Sequence, residues 1–373
     1  MKLCFISNYL NHHQIDFCDE CSRLFGIENF TFIQTEAVPE FRKKLGYNDY
    51  SKFTYVIDFD SNKALALEKI DDSDIIINTQ CLGTTYIKKF FKSNKLIFWY
   101  NERLFKRKGL IFFILQYIRV FGWFKKRHNP NIYSLTASSF GASDLRLISR
   151  SWKNRCYKWG YFPHEPGCFD KKTDERLSLV FVGRLIGWKH PEICVDIAEY
   201  LEKKHIKYDM TIIGSGKLEK SLKNSSVKKS LSNIHFIGSV NSSSVAQYYK
   251  MADILVFPSD RREGWGAVLN EGMVNACVPL ANFYAGSSNY LIKNGENGYV
   301  YKTRKDLFDC LDKLVSLKRS NKLTEMGLKA KETIDSVWNG KEAARRFFQI
   351  CTAKMEKADE PAYEDGPMAK EKI

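Results

Sequence analysis

Long apolar stretches, paired cysteine motifs and, in one central segment, acidic residues are scarce in this 373-residue chain. Each shortage excludes something. The most apolar stretch, residues 109–124, is broken by Gln116 and Arg119 and falls short of the ~20 residues that span a bilayer. The start, Met1-Lys2-Leu3-Cys4-Phe5-Ile6-Ser7, reads as a strand entering a domain and is too short for a secretory apolar core. Ten cysteines are scattered, and Cys18/Cys21 is the single C-x-x-C. It sits on helical periodicity with no second pair and no nearby histidine pair, so a zinc site is not expected. The thiols are expected to behave as buried hydrophobes in a reducing, cytoplasmic compartment. No G-x-G-x-x-G follows the first strand, which argues against a dinucleotide site in the first half. Asp58-Phe59-Asp60 precedes a turn-like Ser-Asn-Lys, and no Asp-x-Asp is expected at a strand end to hold a metal. Glu102 is the lone acid between Lys88 and Arg127, where twelve lysines and arginines stand. That segment holds most of the net charge of +15, and a concentrated positive patch implies an anionic partner surface.

Short apolar runs alternate with helical patterns through the first half. Strands are expected at 2–7, 29–33, 54–57, 74–78, 95–99 and 132–137, and helices at 12–25, 62–70, 83–92 and 139–149. The alternation repeats more cleanly later. There the strands are 177–182, 208–213, 234–237, 254–257 and 278–281, with helices 189–203, 217–231, 242–250, 266–277, 304–316 and 320–333. This predicts two doubly wound, Rossmann-like α/β domains. The boundary falls at Phe162-Pro163-His164-Glu165-Pro166-Gly167, where prolines and glycine cluster. The expected organisation is a domain over 1–165, a second over 166–337, a helical segment over 338–355 and a polar, disordered tail over 356–373.

Ligands of such sheets bind beyond the carboxyl ends of the strands, so the post-strand loops matter most. After the first strand come Asn11, His12 and His13, suited either to a hydroxyl-rich acceptor or to capping the next helix. Glu102 follows the 95–99 strand and would act near an acceptor or pair with Arg103 or Lys106. Residues 109–124, flanked by Lys106-Arg107-Lys108 and Lys125-Lys126-Arg127, read as a core helix or as an interfacial helix on anionic lipid. The polar and aromatic interleaving of nucleic-acid modules is missing, and no nucleic-acid partner is expected.

The second half carries the denser chemistry. Gly183, Arg184 and Lys189 follow its first strand, a forked donor and a point charge suited to a diphosphate. Gly214-Ser215-Gly216 follows the second strand and Ile237-Gly238 the third, allowing close approach of a nucleotide. The fourth strand, Ile254-Leu255-Val256-Phe257, is stopped by Pro258-Ser259. It leads to Glu263-Gly264-Trp265-Gly266-Ala267-Val268 and then Glu271. Two glutamates eight apart also occur at Glu20/Glu28, so the weight lies in the context: strand, Pro-Ser, Glu-Gly-aromatic-Gly, helix, Glu.

Together with Phe236-Ile237-Gly238, Tyr248-Tyr249-Lys250-Met251-Ala252-Asp253 and Asn294-Gly295-Glu296-Asn297-Gly298, these motifs resemble, in order, those of family-4 retaining glycosyltransferases with the GT-B fold and the E-x7-E signature. This is the group that builds bacterial polysaccharides and lipopolysaccharides. The likeness is specific over residues 180–300 and holds only in outline before them. Asn275-Ala276-Cys277-Val278-Pro279 departs from it, with a cysteine where a glycine is usual.

The resemblance implies two domains facing a cleft, with the segment after Trp338 crossing back to the first. It also implies a nucleotide-diphosphate sugar, UDP- or GDP-linked, as donor. Arg184 and Lys189 would neutralise the diphosphate, Glu271 would hold the ribose and Glu263 the transferred sugar. Gly183, Gly214, Ser215, Gly216, Ile237, Gly238, Gly264, Trp265, Gly266, Ala267 and Val268 would line the donor site. No metal or other cofactor is implied. The acceptor would be a saccharide or lipid-linked hydroxyl, approached from Asn11, His12, His13 and Glu102. The enzyme would sit peripherally on the inner membrane face through residues 88–127. The competing reading is a catalytically silent or epimerase-like relative that binds a nucleotide sugar.

Overall fold

The computed structural model describes residues 1–43, 46, 48–79, 86–106, 109–124, 129–162 and 175–371. The proline-rich boundary segment and the basic residues Arg107, Lys108, Lys125, Lys126 and Arg127 lie outside them, as do the side chains of Lys88 and Arg119. The chain divides into two compact units, Met1–His164 with Val337–Ile373, and Glu165–Ser336.

The first unit is built on a seven-stranded sheet of β1 (Leu3–Ser7), β2 (Phe30–Gln34), β3 (Val56–Asp58), β4 (Ile75–Asn78), β5 (Leu96–Asn101), β6 (Ile132–Thr136) and β7 (Cys156–Lys158). Their spatial order is β3-β2-β1-β4-β5-β6-β7 and every pairing is parallel. Parallel strands are covered on both faces, so they must be continuously apolar. Ile75, Ile76 and Ile77 show this, all wholly buried. The two helices Ile15–Phe25 and Gly340–Glu356 pack together: Phe17 meets Phe347 edge-on at 6.0 Å and Phe25 meets Phe348 at 4.9 Å. Gly340 permits the approach, since a Cβ there would lie 2.6 Å from Asp16 Cβ. The segment after Trp338 is therefore part of the first unit. Cys18 and Cys21 are buried thiols of the core, and the eight described cysteines are all free and buried.

Three expectations are corrected here, and one that stood open, the setting of the apolar helix, is narrowed. The 83–92 helix is, among the described residues, only a 3-10 turn over Lys88–Lys92. Asp58 does end a strand, β3, but its carboxylate accepts from Ser61 N at 2.9 Å and closes a turn. The helix Leu110–Phe124 is not enclosed: Phe113 and Tyr117 pack on the core, while Leu110, Ile111, Leu115 and Ile118 face solvent. Nor is the tail disordered over its described length. It lies along β7, with Met368 N donating to Lys158 O at 2.9 Å, Lys158 N to Ala369 O at 2.8 Å and Glu371 N to Cys156 O at 3.0 Å. An edge strand presents unpaired backbone groups that another segment can satisfy. Buried Met368 and Ala369 anchor the tail, and Glu360 accepts the Tyr157 hydroxyl at 2.6 Å.

The second unit holds six strands: β8 (Leu177–Val182), β9 (Tyr208–Ile213), β10 (Ile234–Gly238), β11 (Ile254–Phe257), β12 (Val278–Asn282) and β13 (Tyr299–Tyr301). Their order is β10-β9-β8-β11-β12-β13, again all parallel. Sequence order reverses between β8 and β11, so the loops after these two strands flank the switch point where such sheets bind ligands. The core beneath is a continuous layer including Leu179, Phe181, Ile197, Met210, Val256 and Leu280. Asp253 ties the base of the switch point by accepting from Ser178 N at 3.0 Å and pairing with Lys318 at 2.8 Å.

Candidate functional site

At the switch point of the second unit the chain brings Arg184, Lys189, Glu263 and Trp188 together. Backbone bonds lace the loops after β8, β9 and β10. Gly183 N donates to Ile213 O at 3.0 Å, Leu185 N to Ser215 O at 2.9 Å and Gly214 N to Gly238 O at 2.7 Å. Gly214 is required by this closeness: φ is +127°, and a Cβ would lie 2.0 Å from Gly183 O. The Ser215 and Ser239 hydroxyls bridge at 2.8 Å, and Ile237 is exposed beside them. The result is a shelf of backbone with little side chain in the way.

The indole of Trp188 is within reach of both cations. Arg184 Cζ is 5.5 Å and Lys189 Nζ 4.8 Å from its ring, and the ring's negative face attracts both. No role for Trp188 is legible in the sequence alone. An aromatic beside an Arg–Lys pair was the available signal. Lys189 Nζ pairs with Glu263, their side chains only 12% and 11% exposed. The residue assigned to the diphosphate and the residue assigned to the sugar thus neutralise one another in this structure.

The remaining donor-side residues divide. Glu271 accepts the Tyr249 hydroxyl at 3.1 Å. Burial above all, with Glu271 as neighbour, pushes the Tyr249 phenol well above its usual range, so it stays a hydrogen-bond donor. In sequence Tyr249 is only one residue of the Tyr248–Asp253 motif, and the fold makes it the orienter of Glu271. Trp265 is wholly buried, its Nε1 donating to Asn270 Oδ1 at 2.8 Å and its carbonyl accepting from Ser287 Oγ at 2.8 Å. It shapes the loop from beneath. Gly264 and Gly266 are buried with it, whereas Ala267 and Val268 are partly exposed. The helix that follows, Val268–Val274, has only seven residues, so charged side chains outweigh its dipole. Cys277 is buried, its thiol donating to Tyr249 O at 3.1 Å, so the cysteine that replaces a glycine is accommodated. Asn297 holds the late Asn-Gly turn by donating to Leu291 O at 3.0 Å and Thr333 Oγ1 at 2.9 Å.

The acceptor-side candidates meet at the carboxyl edge of the first sheet through Tyr161, which carries no motif in the sequence. Tyr161 stacks on His13 with centroids 5.9 Å apart and donates to Glu102 at 2.8 Å. Glu102 also pairs with Lys106, while Arg103 turns to buried Asp144 at 3.6 Å. His12 and His13 touch at 3.8 Å. Burial first, then His12 and Arg42, hold His13 well below the ordinary histidine range. Asn11 Oδ1 accepts from His13 N at 3.0 Å, which is a local turn role.

Comparison with known proteins finds likenesses over part of the sequence and over the fold. Residues 169–333 match the family model described as glycosyl transferases group 1. An uncharacterized glycosyltransferase of Methanocaldococcus jannaschii, MJ1178, is 30% identical over 183 residues, covering 48% of this chain and 47% of that protein. Spore coat protein SA of Bacillus subtilis is 24% identical over 231 residues, 59% of each chain. The matches thus span about half the length of these curated relatives. In fold, the chain is similar to HepE of Anabaena, solved with UDP and glucose, at a TM-score of 0.66 and 11% identity over 95% of this chain and 100% of that one. Two parallel-sheet, Rossmann-like domains of the GT-B type are therefore the architecture.

Proposed function

We propose that the protein is a metal-independent, retaining glycosyltransferase of hexosyltransferase type. It moves a sugar from a nucleotide-diphosphate sugar to a hydroxyl of a lipid-linked saccharide or polysaccharide. The observation that carries this is the Arg184–Trp188–Lys189 cluster beside Glu263 at the switch point. Two preorganised cations facing a backbone shelf suit a diphosphate whose charge grows as the glycosidic bond breaks. On donor binding, Lys189 exchanges Glu263 for phosphate oxygen, and Glu263 becomes free to accept sugar hydroxyls. Glu271, oriented by Tyr249, accepts the ribose hydroxyls. The incoming hydroxyl gives its proton to the leaving phosphate on the same face, so configuration is kept. Fixed cations supply the neutralisation a divalent metal would otherwise give. HepE, solved with UDP and with UDP-glucose, favours UDP as the carrier. On the acceptor side, Glu102, His13 and Tyr161 offer one carboxylate and two rings for a sugar face. The test is product stereochemistry by NMR with chelator present. The donor's anomeric configuration is expected in the product, at an undiminished rate. Inversion, or loss of transfer on chelation, contradicts the reading.

We further propose that the helix Leu110–Phe124 seats the protein on the inner face of an anionic membrane. Leu110 and Ile111 are 74% and 77% exposed, on a helix bordered in sequence by basic runs. No helix among the described residues is long and apolar enough to cross a membrane, so the helix would lie in the interface. The buried free thiols fit the reducing side. Vesicles containing anionic phospholipid are expected to bind the protein, more weakly as salt rises. Ile111→Glu with Leu115→Glu should abolish binding with no change in thermal midpoint. Equal binding to neutral vesicles contradicts it.

A further inference from the structure

His190 stands outside every role assigned above, yet it is held in an uncommon way. It follows Lys189 directly and adopts φ +50°, ψ +47°, a left-handed conformation that favours glycine and that a histidine enters at a cost. Its ring reaches two carboxylates on different elements. Nδ1 lies 2.6 Å from Glu192 Oε1, at the start of the helix Glu192–Lys203, and Nε2 lies 3.3 Å from Asp260 Oδ2, in the loop after β11. Asp260 is a node of that loop. Its N–H donates to Trp188 O at 3.0 Å, its carbonyl accepts from Glu263 N at 2.9 Å, and its carboxylate accepts from Arg262 N at 2.8 Å. The His190 ring therefore joins the loop that carries Lys189 to the loop that carries Glu263.

We propose that His190 is a positioning residue for donor binding, clamping the Lys189 loop to the Glu263 loop in its protonated form and releasing one side of the clamp on deprotonation. This rests on the donor-site reading given above. An imidazolium donates from both nitrogens and satisfies both carboxylates, whereas a neutral ring donates from one only. Glu192 and Asp260 are the charged groups acting on the ring, with Arg262 behind Asp260. Hydrogen bonding to Glu192 raises the His190 pKa above the ordinary histidine value, so the clamp is closed below neutral pH and opens as pH rises through that raised value. The longer contact, to Asp260, is the one expected to yield. Donor affinity should then fall as pH rises, by about three- to tenfold between about pH 6 and pH 8.5, the range over which a histidine changes charge. The phosphates of a nucleotide sugar do not titrate there, which leaves the protein as the source of the slope.

The test is calorimetric binding of UDP-glucose and GDP-mannose across that range to the full chain, to His190→Asn and His190→Gly, and to Asp260→Asn. Asparagine and glycine both tolerate the left-handed backbone, so the fold should stand, and the thermal midpoint of each variant checks this. Wild type is expected to show the pH-dependent fall. Both His190 variants should bind at the high-pH wild-type level throughout, and Asp260→Asn should lose the slope as well. A slope that survives in His190→Asn and His190→Gly, or a flat wild-type profile with tight binding, overturns the proposal. If neither nucleotide sugar binds wild type at any pH, the donor-site reading fails instead, and the clamp falls with it.

Discussion

Replacing Lys189 by alanine is expected to weaken nucleotide-sugar binding by about 10- to 100-fold and, separately, to destabilise the second unit by about 3 kcal/mol. The first effect follows from losing a charge-assisted bond to phosphate, worth about 1.5–3 kcal/mol. The second follows from what remains. Glu263 is nearly buried and Lys189 is its ion-pair partner, so truncation leaves a carboxylate without its counter-charge in a poorly hydrated place. The two effects separate in a double variant. Lys189→Met with Glu263→Leu fills the same space without charge and should recover most of the stability, while donor binding stays lost. Urea unfolding reads the stability and calorimetric titration reads the donor binding. If Lys189→Ala keeps full stability, the pair is more hydrated than its exposure indicates. If the double variant binds donor, the pair is not the diphosphate site.

Gly214→Ala should be the most damaging change of a single small residue. The added Cβ would lie 2.0 Å from Gly183 O and 2.8 Å from Gly183 C, both backbone atoms that cannot rotate away. The positive φ adds strain of its own. To make room, the loops after β8 and β9 must separate, breaking the bonds between Gly183 and Ile213 and between Leu185 and Ser215. A loss of about 3 kcal/mol is expected from overpacking and backbone strain together. For a unit of this size it lowers the thermal midpoint by about 6–12 °C. Donor binding should fall as well, because the shelf is made of these loops. Gly187→Ala is the control: nothing lies within 4 Å of a Cβ there, and little change is expected.

What the sequence disclosed follows from its physics. The strands of the second unit are buried on both faces, so runs such as Ile254-Leu255-Val256-Phe257 announce themselves and end at a proline. Two of the three-residue strands do not: Cys156–Lys158 and Tyr299–Tyr301 are too short to show a period. The tail was misread because its composition is polar while its anchor, Met368-Ala369, is only two residues long. The apolar helix Leu110–Phe124 gave no sign of which side is covered, since both sides are apolar and the burial comes from Phe105 meeting Phe113 at 4.6 Å. Charged site residues were legible because a glycine, an arginine and a lysine after a buried strand form a local pattern. Trp188, Tyr249 and Tyr161 were not. Each acts by orienting a group distant in sequence or, for Trp188, by contacting two cations at once, which only the folded chain reveals. The same is true of His190, whose partner Asp260 lies seventy residues further along the chain.

The central claim is that the second unit holds a nucleotide sugar at Arg184, Lys189 and Glu271. The measurement that tests it most directly is a thermal-shift panel of UDP-, GDP-, ADP- and dTDP-sugars on wild type, Arg184→Ala and Glu271→Ala. Ligand at 100 times its Kd stabilises by about 2.7 kcal/mol, which in a unit of this size raises the midpoint by about 5–11 °C. The account predicts such a rise for one nucleotide, UDP first, with the rise lost in both variants. A flat panel on wild type, or a rise that both variants retain, would contradict it.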